Sequence, residues 1–529
     1  MSTTAAAPEQ SHESRPSATI PRGVAALIGV LAVGFALGVG HLVAAFVGPS
    51  SSPFLAVGDT VIRFSPQVLT EFAKTTFGTA DKPVLLGGMA VVILALAAVG
   101  GLLSRRSPAV GTAVVVAMGV LGFLAVFFAP SFAPLGLLAP LASLLAGVAA
   151  FRLLHRLALR ASAPARTGGP EVSRRGVLVG SSAAVGLGAL AAGAGGQFLG
   201  NGVADSRAEV TARLARAVLT ETAPPIPATA SFPDSGSIPF VTSNADFYRV
   251  DTALQLPSQT ASDWSCRIHG MVDNEIVLRF EDLLARPLVE RTLTMTCVSN
   301  EVGGPYISTA NFIGVELRDI LLEAGVQPGA DQLFSTSLDA WTAGSPTDVV
   351  MEPGRGALIA IGMNGEALPQ EHGFPVRLVV PGLYGFLSAT KWLADIELTT
   401  FDAAQGYWLQ RGWGKFAPIK TQSRIDSPAP FERVPAGTVS VAGIAWSQPV
   451  GISRVEVRVD GGAWQEAELA DEVNPRTWRM WRAEFPLAAG SHTVTTRATD
   501  ANGVTQPEQR AMPIPDGATG WPSTIFTVS

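Results

Sequence analysis

Apolar positions fall in two regimes along this chain. Before Asn201 they form long uninterrupted runs: Gly23–Val47, Pro83–Ser104, Pro108–Ala129, Pro130–Phe151 and Gly176–Gly202 contain no Asp, Glu, Lys or Arg. Each run reaches the roughly 20 residues that a helix needs to cross a bilayer. The pattern predicts about five spanning helices, the third and fourth meeting in a hairpin at Ala129-Pro130-Ser131-Phe132-Ala133-Pro134, where two prolines break the helix.

After Asn201 the runs shorten. Asp205–Ala217 has a charged helical pattern, and Ala223-Pro224-Pro225-Ile226-Pro227 with Pro233-Asp234-Ser235-Gly236 reads as a linker. From Ile238 to about Arg424, β-rich runs such as Leu293-Thr294-Met295-Thr296 and Arg377-Leu378-Val379-Val380 alternate with helical pieces such as Val315–Ala324, the signature of an α+β domain. Beyond Ser427-Pro428 the strands Thr438–Trp446, Ser453–Val459 and His492–Ala498 are separated by Asp460-Gly461-Gly462 and Asp500-Ala501-Asn502-Gly503 turns. They predict a β-sandwich of immunoglobulin type, with Val455, Val457 and Val459 inward, Glu456 and Arg458 outward, and Trp464, Trp478 and Trp481 in the core or on a contact surface. The expected architecture is multi-domain: a cytoplasmic tail at 1–22, an all-α transmembrane bundle at 23–202, a helix and Pro-rich linker at 203–237, the α+β domain at 238–426 and the immunoglobulin-like sandwich at 427–529.

Charge orients the membrane part. Arg105 and Arg106 follow the second run, and Arg152, Arg156, Arg160, Arg166, Arg174 and Arg175 lie between the fourth and fifth. By the positive-inside rule both loops are cytoplasmic. The loop at 48–82 balances Asp59, Glu71 and Asp81 against Arg63, Lys74 and Lys82, which suits the outside. The expectation is a multi-pass protein of the cell membrane, in contact with lipid, whose soluble domains face away from the cytoplasm. Ser173-Arg174-Arg175-Gly176-Val177-Leu178 resembles a twin-arginine export signal as much as plain inside charge; cleavage behind it would leave a soluble form starting near Gly200. A net charge of −6 at a mean hydropathy of +0.32, with no Lys/Arg block in the soluble part, excludes nucleic acid as a partner.

Candidate chemistry is sparse. The two cysteines, Cys266 and Cys297, are too few for a Cys-rich zinc or iron–sulfur site, and a disulfide between them stays open. His41 and His155 fall at opposite ends of their runs, and no Cys-x-x-Cys-His occurs, so no haem is expected in this chain. Cys297 sits in Thr296-Cys297-Val298-Ser299-Asn300-Glu301-Val302-Gly303-Gly304, at a strand end feeding a turn. Further on, His372-Gly373-Phe374-Pro375-Val376-Arg377 leads through Val380-Pro381-Gly382 to Tyr384-Gly385-Phe386-Leu387-Ser388-Ala389-Thr390-Lys391-Trp392. His, Arg and Lys around Gly-rich turns suit the grip of a phosphate. Cys266 reads as buried and inert, His269 and His492 as structural, Trp341 and Trp392 as core.

These motifs resemble the sulfite oxidase family of molybdenum-cofactor enzymes, from about Ser243 to Thr496. The resemblance implies a molybdenum–molybdopterin cofactor with Cys297 as its thiolate ligand, in keeping with the soft-ligand preference of such metals. It implicates His372, Arg377, Ser388 and Lys391 in holding the pterin and its phosphate. Asn244, Phe247 and Tyr248 of Asn244-Ala245-Asp246-Phe247-Tyr248 are implied pterin contacts, with Ser335 or Thr336 as a further one, and Tyr384 or Arg411 as the group that orients substrate. Sulfite oxidases carry arginines just after the Cys-x-Gly-Asn turn; here Asn300 is followed by Glu301 and Val302. A carboxylate there repels sulfite and points to a neutral small-molecule substrate such as a sulfoxide or N-oxide, although Arg411 and Lys415 restore some positive potential. The family reading implies a separate electron carrier, a haem protein or a quinol-linked membrane protein, and a homodimer through the C-terminal domain. The rival reading is a cofactor-free membrane receptor or assembly protein that uses the same fold as a binding module.

Overall fold

A computed structural model describes residues 19–66, 80–129, 134–162 and 202–529 except Gln255, with isolated positions at 69, 72, 76, 77, 132, 183–185, 187 and 188. It divides into two compact units, one ending at Gly200 and one beginning at Asn201. The expected fifth span and the Ser173-Arg174-Arg175 motif lie almost wholly outside the described residues.

The first unit contains α1 (Arg22–Val47), α2 (Pro53–Phe64), α3 (Asp81–Leu103), α4 (Ala109–Phe127) and α5 (Leu138–Ser162). Among the described residues, four helical stretches are long and apolar enough to cross a membrane: α1, α3, α4 and Pro134–Ser162, which includes α5. Ile28, Ala32 and Val33 of α1 share a core with Ala97 of α3, Val115 of α4 and Phe151 and Leu154 of α5. The crossing of α1 and α3 is reciprocal: a Cβ on Gly29 would lie 2.0 Å from the Ala97 carbonyl oxygen, and one on Gly101 2.0 Å from that of Ala25. Only glycine lets two backbones meet this closely. His155 is buried with Nε2 2.6 Å from the Ser104 carbonyl, and His41 Nδ1 lies 3.5 Å from Ser52 Oγ.

Two expectations for this unit change. The fourth span, expected at Pro130–Phe151, is a 3-10 turn at Pro134–Leu137 followed by α5, which continues to Ser162. Pro134 lacks an amide donor and opens the turn, and Arg152, Arg156 and Arg160 ride on the last turns of the helix rather than in a loop. The loop at 48–82, expected on the outside, contains α2, whose apolar face was not read from the sequence.

The second unit begins with α6 (Gly202–Leu214). The α+β part follows with β1 (Ser265–Gly270), β2 (Ile276–Arg279), α7 (Phe280–Leu284), β3 (Val289–Thr296), β4 (Ile307–Glu316), α8 (Leu317–Ala324), β5 (Gln332–Ser337), β6 (Thr342–Pro346), α9 (Thr347–Met351), β7 (Leu358–Met363), β8 (Glu366–Ala367), β9 (Arg377–Val379), α10 (Gly385–Ser388) and β10 (Leu393–Thr399). One sheet has the order β3-β4-β7-β8 with β9 also on β7; the other runs β2-β1-β10-β5-β6, its β1 and β10 parallel. Leu293, Ala310, Phe312, Leu333, Ile359, Ile361, Leu378 and Ile396 fill the core they share.

The C-terminal part comprises β11 (Gln422–Ser427), β12 (Arg433–Val434), β13 (Gly437–Trp446), β14 (Ile452–Val459), β15 (Gln465–Glu466), β16 (Glu468–Leu469), β17 (Arg479–Leu487), β18 (Gly490–Asp500) and β19 (Ser523–Val528). Its sheets, β11-β13-β17-β16 and β12-β19-β18-β14-β15, bury one core that includes Val441, Val455, Val457, Trp481, Val494 and Phe526. Val455 and Val457 point inward as expected and Val459 is only half-buried. Trp464 lies outside, under the guanidinium groups of Arg458 and Arg497.

The boundaries shift as well. Residues 203–237 are not a free linker. Val203, Val210 and Leu214 of α6 belong to the α+β core, Thr220 N–H donates to the Leu288 carbonyl at 2.8 Å, and Ala230 is fully buried. Thr229 Oγ1 donates to Asp471 at 2.6 Å and Ser237 Oγ to Asp426 at 2.8 Å. Proline fixes an extended course but says nothing about what the segment lies against. The β-rich part starts at Gln422 rather than 427, because β11 pairs with β13.

The α1–α3 contact is testable. Gly29→Leu is expected to lower the thermal stability of the detergent-solubilised chain by about 1–3 kcal/mol, the usual cost of overpacking. Gly34→Leu, where nothing lies within 4 Å of the added Cβ, is expected to leave the melting temperature unchanged.

Candidate active site

The site starts where the β3–β4 ladder ends. Thr296 pairs with Ile307, and beyond it the chain folds into a turn. Cys297 N–H donates to the Tyr306 carbonyl at 3.0 Å, Asn300 N–H to the Cys297 carbonyl at 3.1 Å, and Tyr306 N–H to Asn300 Oδ1 at 2.9 Å. These bonds hold Cys297 Sγ inside the protein, 7% exposed and 3.0 Å from Ser299 Oγ. Thr296 Oγ1 and Asn300 Nδ2 are buried with no hydrogen-bond partner among the described residues. Glu301 is exposed and Tyr306 is 40% exposed.

The opposite wall is the His372–Lys391 stretch. Gly373, at φ +112°, brings the chain so close that a Cβ would lie 3.1 Å from both Arg377 Cβ and Lys391 Cα, an approach and a conformation that favour glycine. Arg377 is buried; Nη1 donates to the His372 carbonyl at 3.0 Å, Nη2 to that of Ala389 at 3.4 Å, and Nε has no partner. Among the described residues no carboxylate pairs with it. Burial pushes its pKa down to about 10, so the guanidinium stays charged at neutral pH. His372 Nε2 lies 3.1 Å from the Asn244 carbonyl. Its pKa is pushed down to about 3 by burial first, then by the Arg377 and Lys391 charges, which leaves the imidazole neutral. Lys391 Nζ donates to Asp251 Oδ2 and the Glu371 carbonyl, each at 2.9 Å. Burial lowers its pKa to about 8 against the opposing pull of Asp251.

Gly385 joins the two walls. A Cβ there would lie 3.5 Å from the Tyr248 hydroxyl and 3.7 Å from the Thr296 carbonyl oxygen. Burial raises the Tyr248 phenol well above its usual pKa, with Cys297 the nearest anionic influence and Arg377 pulling the other way. Tyr248 thus feels both Cys297 and Arg377, and His372 feels both Arg377 and Lys391.

Other expected residues sit differently. Asn244 spends its amide on the β7–β8 turn, donating to the Met363 carbonyl and Glu366 and accepting from Asn364. Phe247 is buried, stacked on Tyr248 and edge-on to His372. Ser388 donates to the Leu383 and Tyr384 carbonyls at 3.0 and 3.1 Å, binding its own turn. Ser335 Oγ lies 2.7 Å from Thr390 Oγ1, beneath the turn that carries Lys391, and Thr336 is half-buried on β5. Tyr384 accepts the Lys420 N–H at 3.4 Å. Arg411 lies 3.6 Å over the Tyr407 ring and donates to the Tyr407 carbonyl, contacts within its own turn that do not lead to Cys297. No disulfide joins the two cysteines; Cys266 is fully buried and burial raises its thiol pKa. His269 and His492 pair with Asp395 and Asp460.

Asp251 and Thr296 were missed by the sequence reading, and Asn300 was noted only as a turn residue. Asp251 is 140 positions from the lysine it pairs with, so nothing local marks it. Asn300, three residues after the cysteine in a Gly-rich turn, does carry a signal.

The residues present fit a molybdenum–molybdopterin group. A buried thiol supplies a soft ligand, and a buried guanidinium with no carboxylate partner among the described residues, together with the unpartnered Thr296 Oγ1 and Asn300 Nδ2, calls for an anionic, acceptor-rich ligand. Comparison with known proteins agrees. The oxidoreductase molybdopterin binding domain matches residues 253–408, and the Mo-co oxidoreductase dimerisation domain matches 416–515. Sulfite oxidase of Gallus gallus is 30% identical over 320 residues, spanning 51% of this chain and 69% of its own. Mitochondrial sulfite oxidase of Homo sapiens is 31% identical over 318 residues, spanning 51% of this chain and 58% of its own, which is less than two thirds. Among solved structures, the sulfane dehydrogenase SoxCD from Paracoccus pantotrophus is 26% identical, covering 51% of this chain and 75% of that chain at a TM-score of 0.46. By sequence and by its two matched domains, the chain belongs to the sulfite oxidase family of molybdopterin oxidoreductases.

Proposed function

We propose that this chain is a membrane-anchored oxidoreductase that transfers an oxygen atom to or from a small neutral oxo-compound, exchanging electrons with a separate carrier. The observation that carries this reading is a buried Cys297 thiol and a buried, carboxylate-free Arg377 guanidinium that both act on the Tyr248 phenol. When bound, molybdopterin supplies a metal that changes oxidation state by two electrons. Cys297 is its protein ligand, held by the Asn300 turn. Arg377 and Lys391 grip the anionic end, and neutral His372 fills the space between them without adding charge.

Substrate preference follows from the Cys297 turn. Residues 297–306 contain no cation, and Glu301 is exposed. Arg424, which reaches the Gly304 carbonyl at 3.4 Å, is already paired with Asp426 at 2.6 Å. An oxyanion entering here meets a carboxylate and no uncompensated cation from this turn, whereas a sulfoxide or N-oxide meets no such barrier. Electrons pass to or from a haem protein or a quinol-linked membrane protein, since the sequence holds no Cys-x-x-Cys-His.

The apolar helices support anchoring in lipid. Arg105, Arg106 and the arginines of α5 favour the cytoplasmic side, which supports a membrane-anchored chain whose residues 202–529 lie outside the cytoplasm. The dimerisation-domain match supports a homodimer through the C-terminal part, which we read as an immunoglobulin-like sandwich. The binding-module alternative leaves the buried Arg377 charge without a counter-ion and is disfavoured on that ground.

Metal and pterin analysis tests the centre: the purified chain is expected to carry molybdenum and one pterin, and Cys297→Ser to lose the metal. Lys391→Met is expected to reduce cofactor content by about 10–100-fold. Ser388→Ala, whose hydroxyl only serves its own turn, is expected to keep the cofactor and to cost about 1 kcal/mol of stability. In dye-coupled assays, Glu301→Arg is expected to improve kcat/KM for sulfite relative to a sulfoxide; an unchanged ratio would remove Glu301 from the specificity argument.

A further inference from the structure

Strand β3 buries two different faces. Leu293 and Met295 belong to the α+β core. Thr292, Thr294 and Thr296 alternate with them on the other face, each at most 3% exposed. Valine would fill these positions with the same bulk, so what threonine adds is its hydroxyl. Thr292 Oγ1 donates to Asn311 Oδ1 at 2.7 Å, and Thr294 Oγ1 is bonded to Thr309 Oγ1; both partners stand directly across on β4.

Thr294 is engaged at every polar group it has. Its N–H donates to the Arg476 carbonyl at 3.0 Å, its hydroxyl accepts the Trp478 N–H at 2.8 Å, and its carbonyl accepts Gln448 Nε2 at 3.4 Å. Apart from Thr309, all of these partners lie in the β-rich part. The segment that supplies two of them is set in advance, because Asn474 Oδ1 accepts the Arg476 N–H at 2.8 Å while Asn474 Nδ2 donates to the Thr292 carbonyl at 3.1 Å. The β-rich part also reaches the far side of the cysteine. Val298 and Ile307 share a core with Trp446, Trp478 and Met480. Gly382, in the His372–Lys391 stretch, stands so close to Pro449 that a Cβ would lie 3.0 Å from its Cδ. Cys297 is therefore flanked by two supports from the β-rich part, hydrogen bonds at Thr294 and apolar packing at Val298.

We propose that Thr294 is a positioning residue for the metal ligand: by joining β3 to the Arg476–Trp478 segment it sets where the Cys297 thiol stands, and through it the β-rich part acts on the chemistry at Cys297. Action on the metal rests on the molybdenum reading above, whereas placement of the thiol does not. A ligand whose supports are loosened loses activity without a change in what the site binds, so the effect falls on kcat rather than KM.

The test compares the wild type, Thr294→Val and Thr294→Ser as full chains in detergent. Valine removes the acceptor that the Trp478 N–H needs, and serine keeps it. In chain produced in a host that makes no molybdopterin, alkylation of Cys297 by iodoacetamide is followed by peptide mass spectrometry. Thr294→Val is expected to speed it by about 10-fold, the effect of one buried donor left unpaired, and Thr294→Ser to match the wild type. Val494→Ala, in the core between the two C-terminal sheets, lowers stability without touching these bonds and is expected to leave the rate unchanged. In cofactor-loaded chain, Thr294→Val is expected to shift the Mo(V) EPR signal and to lower kcat by about 10–100-fold at unchanged KM, with Thr294→Ser restoring both. Turnover is read with reduced benzyl viologen and dimethyl sulfoxide, or with ferricyanide and sulfite where the wild type turns over only the latter; with neither, the EPR signal decides. Wild-type alkylation in Thr294→Val would overturn the proposal, as would a loaded Thr294→Val with the EPR signal and kcat of the wild type. An equal gain in alkylation in Val494→Ala would do the same, since the effect would then be one of general stability. If Thr294→Val does not fold, Asn474→Ala, which removes the bond to the Thr292 carbonyl, takes its place under the same criteria. A wild type without molybdenum would end the molybdenum reading and the action on the metal, and alkylation would still decide the placement of the thiol.

Discussion

A guanidinium sealed inside the protein without a carboxylate is the constraint on which this site depends. Removing the Arg377 charge from water costs several kcal/mol even after relaxation. The chain offsets only part of that cost through the His372 and Ala389 carbonyls. Those two bonds fix the turns on either side of β9, so the arrangement that positions His372 and Lys391 is the same one that leaves the positive charge uncompensated. Such a site holds stability in reserve until an anion enters. It explains why the glycine at 373 matters: without a Cβ it lets the Arg377 and Lys391 backbones close up around one point.

The three polar groups of this motif handle burial in three ways. His372 gives up its proton, Lys391 keeps a carboxylate partner in Asp251, and Arg377 does neither. Asp251 also pairs with Arg249 at 2.7 Å, so its charge is shared between two cations. Of the two buried cations, Arg377 is therefore the one without a carboxylate partner among the described residues.

Much of this was legible along the sequence because it is local. Uncharged runs mark α1, α3 and α4, and the resemblance of two short motifs to a known family marks Cys297, His372, Arg377 and Lys391. What was not legible depends on distant partners or on side-chain direction. Asp251 meets Lys391 across 140 positions, and Thr229 meets Asp471 across 242, so a Pro-rich stretch that reads as a linker becomes a strap along the folded unit. Ser388 and Lys391 belong to one motif, yet the serine turns onto its own backbone. Arg411 has the charge to attract a substrate, but its ring partner Tyr407 holds it elsewhere. Pattern gives the residue type at a position; the direction of its side chain is set by packing.

The strand that delivers Cys297 shows why the C-terminal part matters to the site. β3 is the edge of its sheet, with β4 on one side only, and an uncovered edge leaves main-chain groups unpaired. Here the free edge is closed from beyond residue 440: Thr294 N–H donates to the Arg476 carbonyl at 3.0 Å, Trp478 N–H to Thr294 Oγ1 at 2.8 Å, and Asn474 Nδ2 to the Thr292 carbonyl at 3.1 Å. Near the start of β3, Glu290 N–H reaches the Glu221 carbonyl of the strap at 2.8 Å. Thr294 lies three residues before Cys297, so the turn that presents the thiol is held on one side by β4 and on the other by the β-rich part. The segment matched by the dimerisation domain is in this chain also the second support of the strand that leads into Cys297. A disturbance of the 474–478 segment reaches Cys297 through two or three hydrogen bonds, without passing through the core.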